Sequence, residues 1–158
     1  MALMASPNAP RRPTFAAKEH SMKISTVSVQ VRFSDVDMAH HVHNAVYLQW
    51  FEQARMAYQE RFIPPGHDWS TQGFILARNE VDYRMPVRLG DAVEAEAWCS
   101  AIGNRSFDLR YAVRRTNGER PGVCAEGRSV MVCYDFKNGR TIDLPNAWRA
   151  VLEQNLIA

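Results

Sequence analysis

The densest group of reactive side chains in the sequence is Arg32-Phe33-Ser34-Asp35-Val36-Asp37-Met38-Ala39-His40-His41-Val42-His43-Asn44. Two carboxylates precede three histidines, and a helical apolar pattern starts just beyond them. The first N–H groups of a helix have no partner inside it, and the positive end of its dipole points the same way. A carboxylate in the preceding loop can therefore serve as base or nucleophile beside donors that stabilise an oxyanion. Asp35 and Asp37 can equally cap or brace the helix entry, as Asp often does. His40, His41 and His43 bring no fourth donor and lack the i, i+4 helical spacing, so no metal is expected. Ser34 has no G-x-S-x-G context, and no P-loop or dinucleotide fingerprint occurs.

The elements that must hold this segment show in its flanks. Residues 25–33 alternate, with Val27, Val29, Val31 and Phe33 on one face, which predicts a half-buried strand. Across 44–62, Val46, Tyr47, Trp50, Phe51, Ala54, Tyr58 and Phe62 recur at helical spacing up to a stop at Pro64-Pro65-Gly66. Four strand-like runs follow: 73–85 with a bulge at Arg78-Asn79, then 91–99, 105–115 and 122–136. Gly90-Asp91, Gly103-Asn104 and Asn117-Gly118 lie between them, which predicts an antiparallel meander. Asn138-Gly139 turns into a short strand at 140–143. Pro145 opens a C-terminal helix with Trp148, Val151, Leu152 and Leu156 on one face. The economical packing is an α+β fold, a curved antiparallel sheet of five to six strands around one long helix. Its open edges predict a homo-oligomer.

Length and composition limit the alternatives. A chain of 158 residues with 46% apolar and 23% charged residues reads as one globular domain with a sizeable core. Residues 1–22 carry Pro7, Pro10 and Pro13 without apolar periodicity and are expected to form a flexible extension; 23–158 form the domain. A net charge of +2, concentrated in that extension, excludes the basic excess of a nucleic-acid binder. No apolar run approaches the ~18 residues of a membrane span, and no signal-peptide core is visible. Cys99, Cys124 and Cys133 form no C-x-x-C pair, so buried thiols in a reducing, cytoplasmic setting are expected.

Three blocks carry a resemblance. Arg32 to Asp37, His41-Val42-His43-Asn44-Ala45-Val46-Tyr47 and Trp50-Phe51-Glu52-Gln53-Ala54-Arg55 resemble the opening signature of hotdog-fold acyl-CoA thioesterases of the 4-hydroxybenzoyl-CoA thioesterase type. The likeness continues through Val81 to Asp91, Gly103 to Phe107 and Leu144-Pro145, spanning about residues 24–150. The resemblance implies a hotdog fold and hydrolysis of acyl-CoA, or of acyl carrier protein thioesters, to acid and thiol. Asp37 is implied as nucleophile or general base, and the Asn44 backbone N–H as the polariser of the thioester carbonyl, with His41 as a weaker catalytic candidate. Asp35 is implied as a supporting carboxylate, and Glu52–Arg55 reads as a structural pair one turn apart. Arg105 and Ser106 are implied as phosphate or pantetheine contacts, with Arg88, Arg114 and Arg128 as weaker candidates. Tyr47, with Trp50 and Phe74, is expected near the acyl group. No cofactor is expected, since CoA belongs to the substrate, and the assembly is expected to be a homodimer or a dimer of dimers. The chain departs from the pattern at His40, where the family usually has glycine.

Two other readings compete. Asp35 and His40 stand at D-x-x-x-x-H spacing, which a hotdog-fold enoyl-CoA hydratase or dehydratase would use. A non-catalytic acyl-CoA-binding module would need a fused effector segment, and a 22-residue extension is too short for a helix-turn-helix.

Overall fold

The structure is a computed structural model that describes residues 23–158; the expected extension at 1–22 lies outside the described residues. β1 is Ser25–Val29. A single 3₁₀ turn at Phe33–Asp35 leads to α1, Asn44–Gln59. β2 is Gln72–Tyr83, β3 Val93–Ile102, β4 Ser106–Arg115 and β5 Gly122–Asp135. β6, Arg140–Thr141, pairs with β5, and α2 is Asn146–Gln154. The sheet is antiparallel throughout and wraps one face of α1, giving the α+β hotdog architecture.

The strand order is β1-β3-β4-β5-β2. Only β3, β4 and β5 form the expected meander. β2 crosses to the far edge and pairs with β5, so Gly90-Asp91 ends a crossover instead of a hairpin. The crossover brings the end of β2 beside the start of α1, which the candidate site requires. β2 shifts register between Leu76 and Arg78, one residue before the expected bulge. β1 stops at Val29, short of Phe33. The Arg32 guanidinium and backbone N–H both donate to Asp35, which pulls the chain into the 3₁₀ turn and leaves Phe33 exposed. α1 ends at Gln59, before Phe62, because Arg61 and Phe62 donate to the carbonyls three residues back. Phe62 still reaches the core from the turn.

α1 buries Val46, Tyr47, Trp50, Phe51, Ala54 and Tyr58. Opposite lie Val93, Ala95, Ala97 and Cys99 of β3, whose small side chains let the helix approach, and Phe107, Leu109, Tyr111 and Val113 of β4. Phe51 stacks on Tyr111 at 4.5 Å between ring centroids. Its ring also crosses β5 at Gly127, where a Cβ would lie 2.3 Å from Phe51 and 2.8 Å from the Glu80 carbonyl. Glycine is therefore obligatory there for close packing. The three cysteines are buried free thiols, and burial pushes Cys99 and Cys133 up to about 11. The outer face carries cross-strand ion pairs, Arg114–Glu96, Arg128–Asp108 and Arg84–Glu126. Arg114 and Arg128 thus belong to the outer face.

Candidate active site

The loop before α1 is held at both ends by backbone bonds. Val42 N–H donates to the Val87 carbonyl and His43 N–H to the Asp35 carbonyl, each at 2.8 Å. Between them, Asp37 N–H donates to His41 O at 2.8 Å and His40 N–H to Asp37 O at 3.0 Å. Closing so tight a turn forces His40 to φ 60, the left-handed region that glycine occupies most readily. Histidine holds this glycine-favoured conformation at some cost in strain.

Asp37 Oδ1 accepts the N–H groups of Ala39 at 2.8 Å and His41 at 3.2 Å. Oδ2 has no hydrogen bond among the described residues. One oxygen therefore fixes the carboxylate's orientation while the other stays available. Asp35 differs: it is 3% exposed and its carboxylate is filled by Arg32. Burial pushes the Asp35 carboxyl up, but the bonds and charge of Arg32 outweigh it, leaving it below its ordinary value. Asp35 is an ionised brace taken up by Arg32, and among the described residues no hydrogen bond or ion pair joins it to His40.

His43 is the N-cap of α1, and neither aspartate fills that role. Its Nδ1 accepts Ala45 N–H at 3.2 Å and its carbonyl accepts Val46 N–H at 2.9 Å. Asn44 N–H is left without an acceptor among the described residues. It carries the concentrated positive end of the helix dipole, in the position an oxyanion donor needs.

The opposite wall comes from the end of β2. The Tyr83 hydroxyl donates to the Asn44 carbonyl at 3.0 Å, and its ring stands edge-on to Tyr47 at 5.2 Å. The Tyr47 hydroxyl accepts Val87 N–H at 3.3 Å. Burial pushes Tyr47 up to about 12, so it stays a neutral phenol and serves as wall, not base. These elements enclose an open groove of about 480 Å³ bounded by Asp37, His41, Asn44, Tyr47, Tyr83 and Met85. Among the described residues, Asp37 is the only carboxylate lining it. Glu52 is eight residues further along α1, about 12 Å away along the axis, and pairs with Arg55 at 3.4 Å.

The structure thus brings together Asp37, His41, Asn44 and Tyr47. Arg88 lines a second groove that adjoins the first. Arg105 and Ser106 are elsewhere. Ser106 stands opposite Val132, whereas Tyr83 stands opposite Ala125 and Ala125 opposite Val113. That places the hairpin on the order of 20 Å along the sheet from the groove of its own chain. There Arg105 Nε donates to Asp143 at 2.8 Å. Phe74 is also remote, edge-on to Phe107 and Trp69, and Trp50 is buried beneath Tyr47. The motifs in the sequence assign Tyr83 no role. Its signal is the alternation Val81 and Tyr83 against Asp82 and Arg84, which turns the tyrosine inward. Among the described residues no group of three or more His, Cys, Asp or Glu converges to hold a metal, and no helix is long and apolar enough to cross a membrane.

A family model described as the thioesterase-like superfamily matches residues 31–152. The long-chain acyl-CoA thioesterase FadM of Escherichia coli K12 is 27% identical, covering 80% of this chain and 95% of its own. A crystal structure of a thioesterase from Thermus thermophilus, complexed with coenzyme A and Zn, is 35% identical with a TM-score of 0.70, over 80% of this chain and 95% of that one. A predicted thioesterase from Bacillus stearothermophilus is 28% identical with a TM-score of 0.75, over 85% of this chain and 97% of that one.

Proposed function

Because this chain belongs to the thioesterase-like superfamily, we propose that it hydrolyses acyl-CoA thioesters to a carboxylic acid and free CoA, with Asp37 as the acting carboxylate. The observation that carries the assignment of the site is one groove lined by both Asp37, whose Oδ2 has no hydrogen bond, and Asn44, whose N–H has no acceptor, among the described residues. A thioester carbonyl oxygen directed at Asn44 N–H gains a fixed donor as negative charge develops on it. Such a donor contributes about 2.7–4 kcal/mol in a transition state.

Asp37 can then act in either of two ways. As nucleophile, Oδ2 adds to the carbonyl carbon and expels the thiolate; water hydrolyses the resulting anhydride. As base, it takes a proton from water as the hydroxyl adds, and collapse of the tetrahedral species expels the thiolate, which is protonated. Both routes suit a thiolate, which leaves with little acid assistance. His41 orients the carboxylate through its backbone N–H, and Tyr47 walls the groove. No resident cofactor is required by either route.

The chain is proposed to act as a homodimer or a dimer of dimers in the cytoplasm. Among the described residues β1 and β2 are the unpaired edges of the sheet, and Ile75 and Leu76 on β2 are exposed apolar side chains at one of them. Arg105 and Ser106 can join a groove only from a second copy. Three buried thiols agree with a reducing compartment.

Purified protein incubated with acyl-CoA esters of varied length and aromaticity, without added metal, is expected to release free thiol and free acid in equal amounts. A change at the acyl double bond with no thiol release would replace hydrolysis by hydration chemistry, to which Asp35, with its carboxylate taken up by Arg32, lends no support.

A further inference from the structure

We propose that Arg88 and Arg120 form the site for the phosphates of the CoA portion, an inference that rests on the thioesterase reading. They line a groove of about 450 Å³ with Met85, Pro86, Asp91 and Arg115. Met85 and Pro86 also line the Asp37 groove, so the two are continuous.

Arginine pairing separates this groove from the rest of the surface. Among the described residues, every arginine except Arg88, Arg110 and Arg120 has a carboxylate, carbonyl or hydroxyl acceptor on its guanidinium. Arg110 lies on the outer face of the sheet, in a cleft with Glu80, Asp82 and Glu126. The other two meet at the groove that adjoins the thioester site. Arg115, beside them, donates to the Arg120 carbonyl at 3.1 Å through Nε and at 2.5 Å through Nη2, and lies 3.5 Å from Asp91. It fixes the turn that carries Arg120 and offsets the charge of Asp91. The groove thus holds two uncommitted guanidinium groups and Arg115 against the two carboxylates Asp91 and Glu119.

The chemistry of the substrate fits this layout. A guanidinium presents paired donors that match phosphate oxygens. In CoA the phosphates are separated from sulfur by the neutral pantetheine arm. Their site must therefore lie beyond the carbonyl groove, across a stretch without charge, and Met85-Pro86 is such a stretch. Arg105 is less available, because a phosphate there must first displace Asp143.

The test compares KM for one acyl group presented as acyl-CoA and as acyl-pantetheine. The proteins are wild type, an Arg88→Ala/Arg120→Ala double variant, Arg105→Ala and Arg110→Ala. The double variant is expected to raise KM for acyl-CoA by about tenfold or more with kcat little changed, while KM for acyl-pantetheine stays as in wild type. Arg110→Ala is expected to move neither value. An unchanged KM for acyl-CoA in the double variant, an equal rise for both esters, or a rise confined to Arg105→Ala would overturn the proposal. Wild-type protein that releases no thiol from either ester overturns the thioesterase reading itself, and this inference with it.

Discussion

Asp37→Asn is expected to lower kcat for acyl-CoA hydrolysis by about 10²–10⁴-fold, the range of a lost general base, or by more if the carboxylate is the nucleophile. The substitution isolates chemistry from folding. An asparagine Oδ1 keeps an acceptor for the backbone N–H groups of Ala39 and His41. What is lost is the negative charge and the carboxylate oxygen left without a hydrogen bond. Because the side chain is exposed, stability should stay within about 0.5 kcal/mol of wild type. Thiol release and thermal unfolding, measured on the same preparation, check both halves of the expectation. Near-wild-type turnover would remove Asp37 from the chemistry.

Asn44→Pro is expected to lower kcat by about 10²–10³-fold with helix α1 intact. Proline deletes the Asn44 N–H, which has no acceptor among the described residues, and it is well tolerated at the first position of a helix. The preceding residue must be extended for a proline to follow, and His43 already sits at φ −57, ψ 137. The Asn44 carbonyl that receives the Tyr83 hydroxyl is retained. Asn44→Ala keeps the N–H and is expected to retain most of the activity, which separates the backbone donor from the side chain. Circular dichroism of both variants checks the helix, and steady-state kinetics checks the donor.

Much of this arrangement is legible in the sequence, and the reasons are local. The aromatic stripe from Val46 to Tyr58 specifies a helix with one buried face, and strict alternation in Val93–Cys99 and Phe107–Val113 specifies the strands it covers. Asp37 and Asn44 lie within one loop-to-helix junction, so their proximity follows from chain connectivity. What failed to show depends on long-range pairing. Nothing near Tyr83 says that β2 bonds to β5, yet that register carries Tyr83 to the Asn44 carbonyl. The same register separates Arg105 from Asp37, which motif order along the chain does not reveal. The early end of β1 has a local cause that alternation hides: Arg32 bonds to Asp35 and turns the chain before Phe33 can pair. His40 shows the limit in the other direction. Its left-handed backbone goes with the bonds across the turn, which alternation and spacing do not reveal.

A complex with a non-hydrolysable acyl-CoA analogue tests the central arrangement most directly. The carbonyl oxygen is predicted within about 3 Å of Asn44 N, with Asp37 Oδ2 facing the carbonyl carbon. A carbonyl bound away from the start of α1, out of reach of Asp37, would contradict the account.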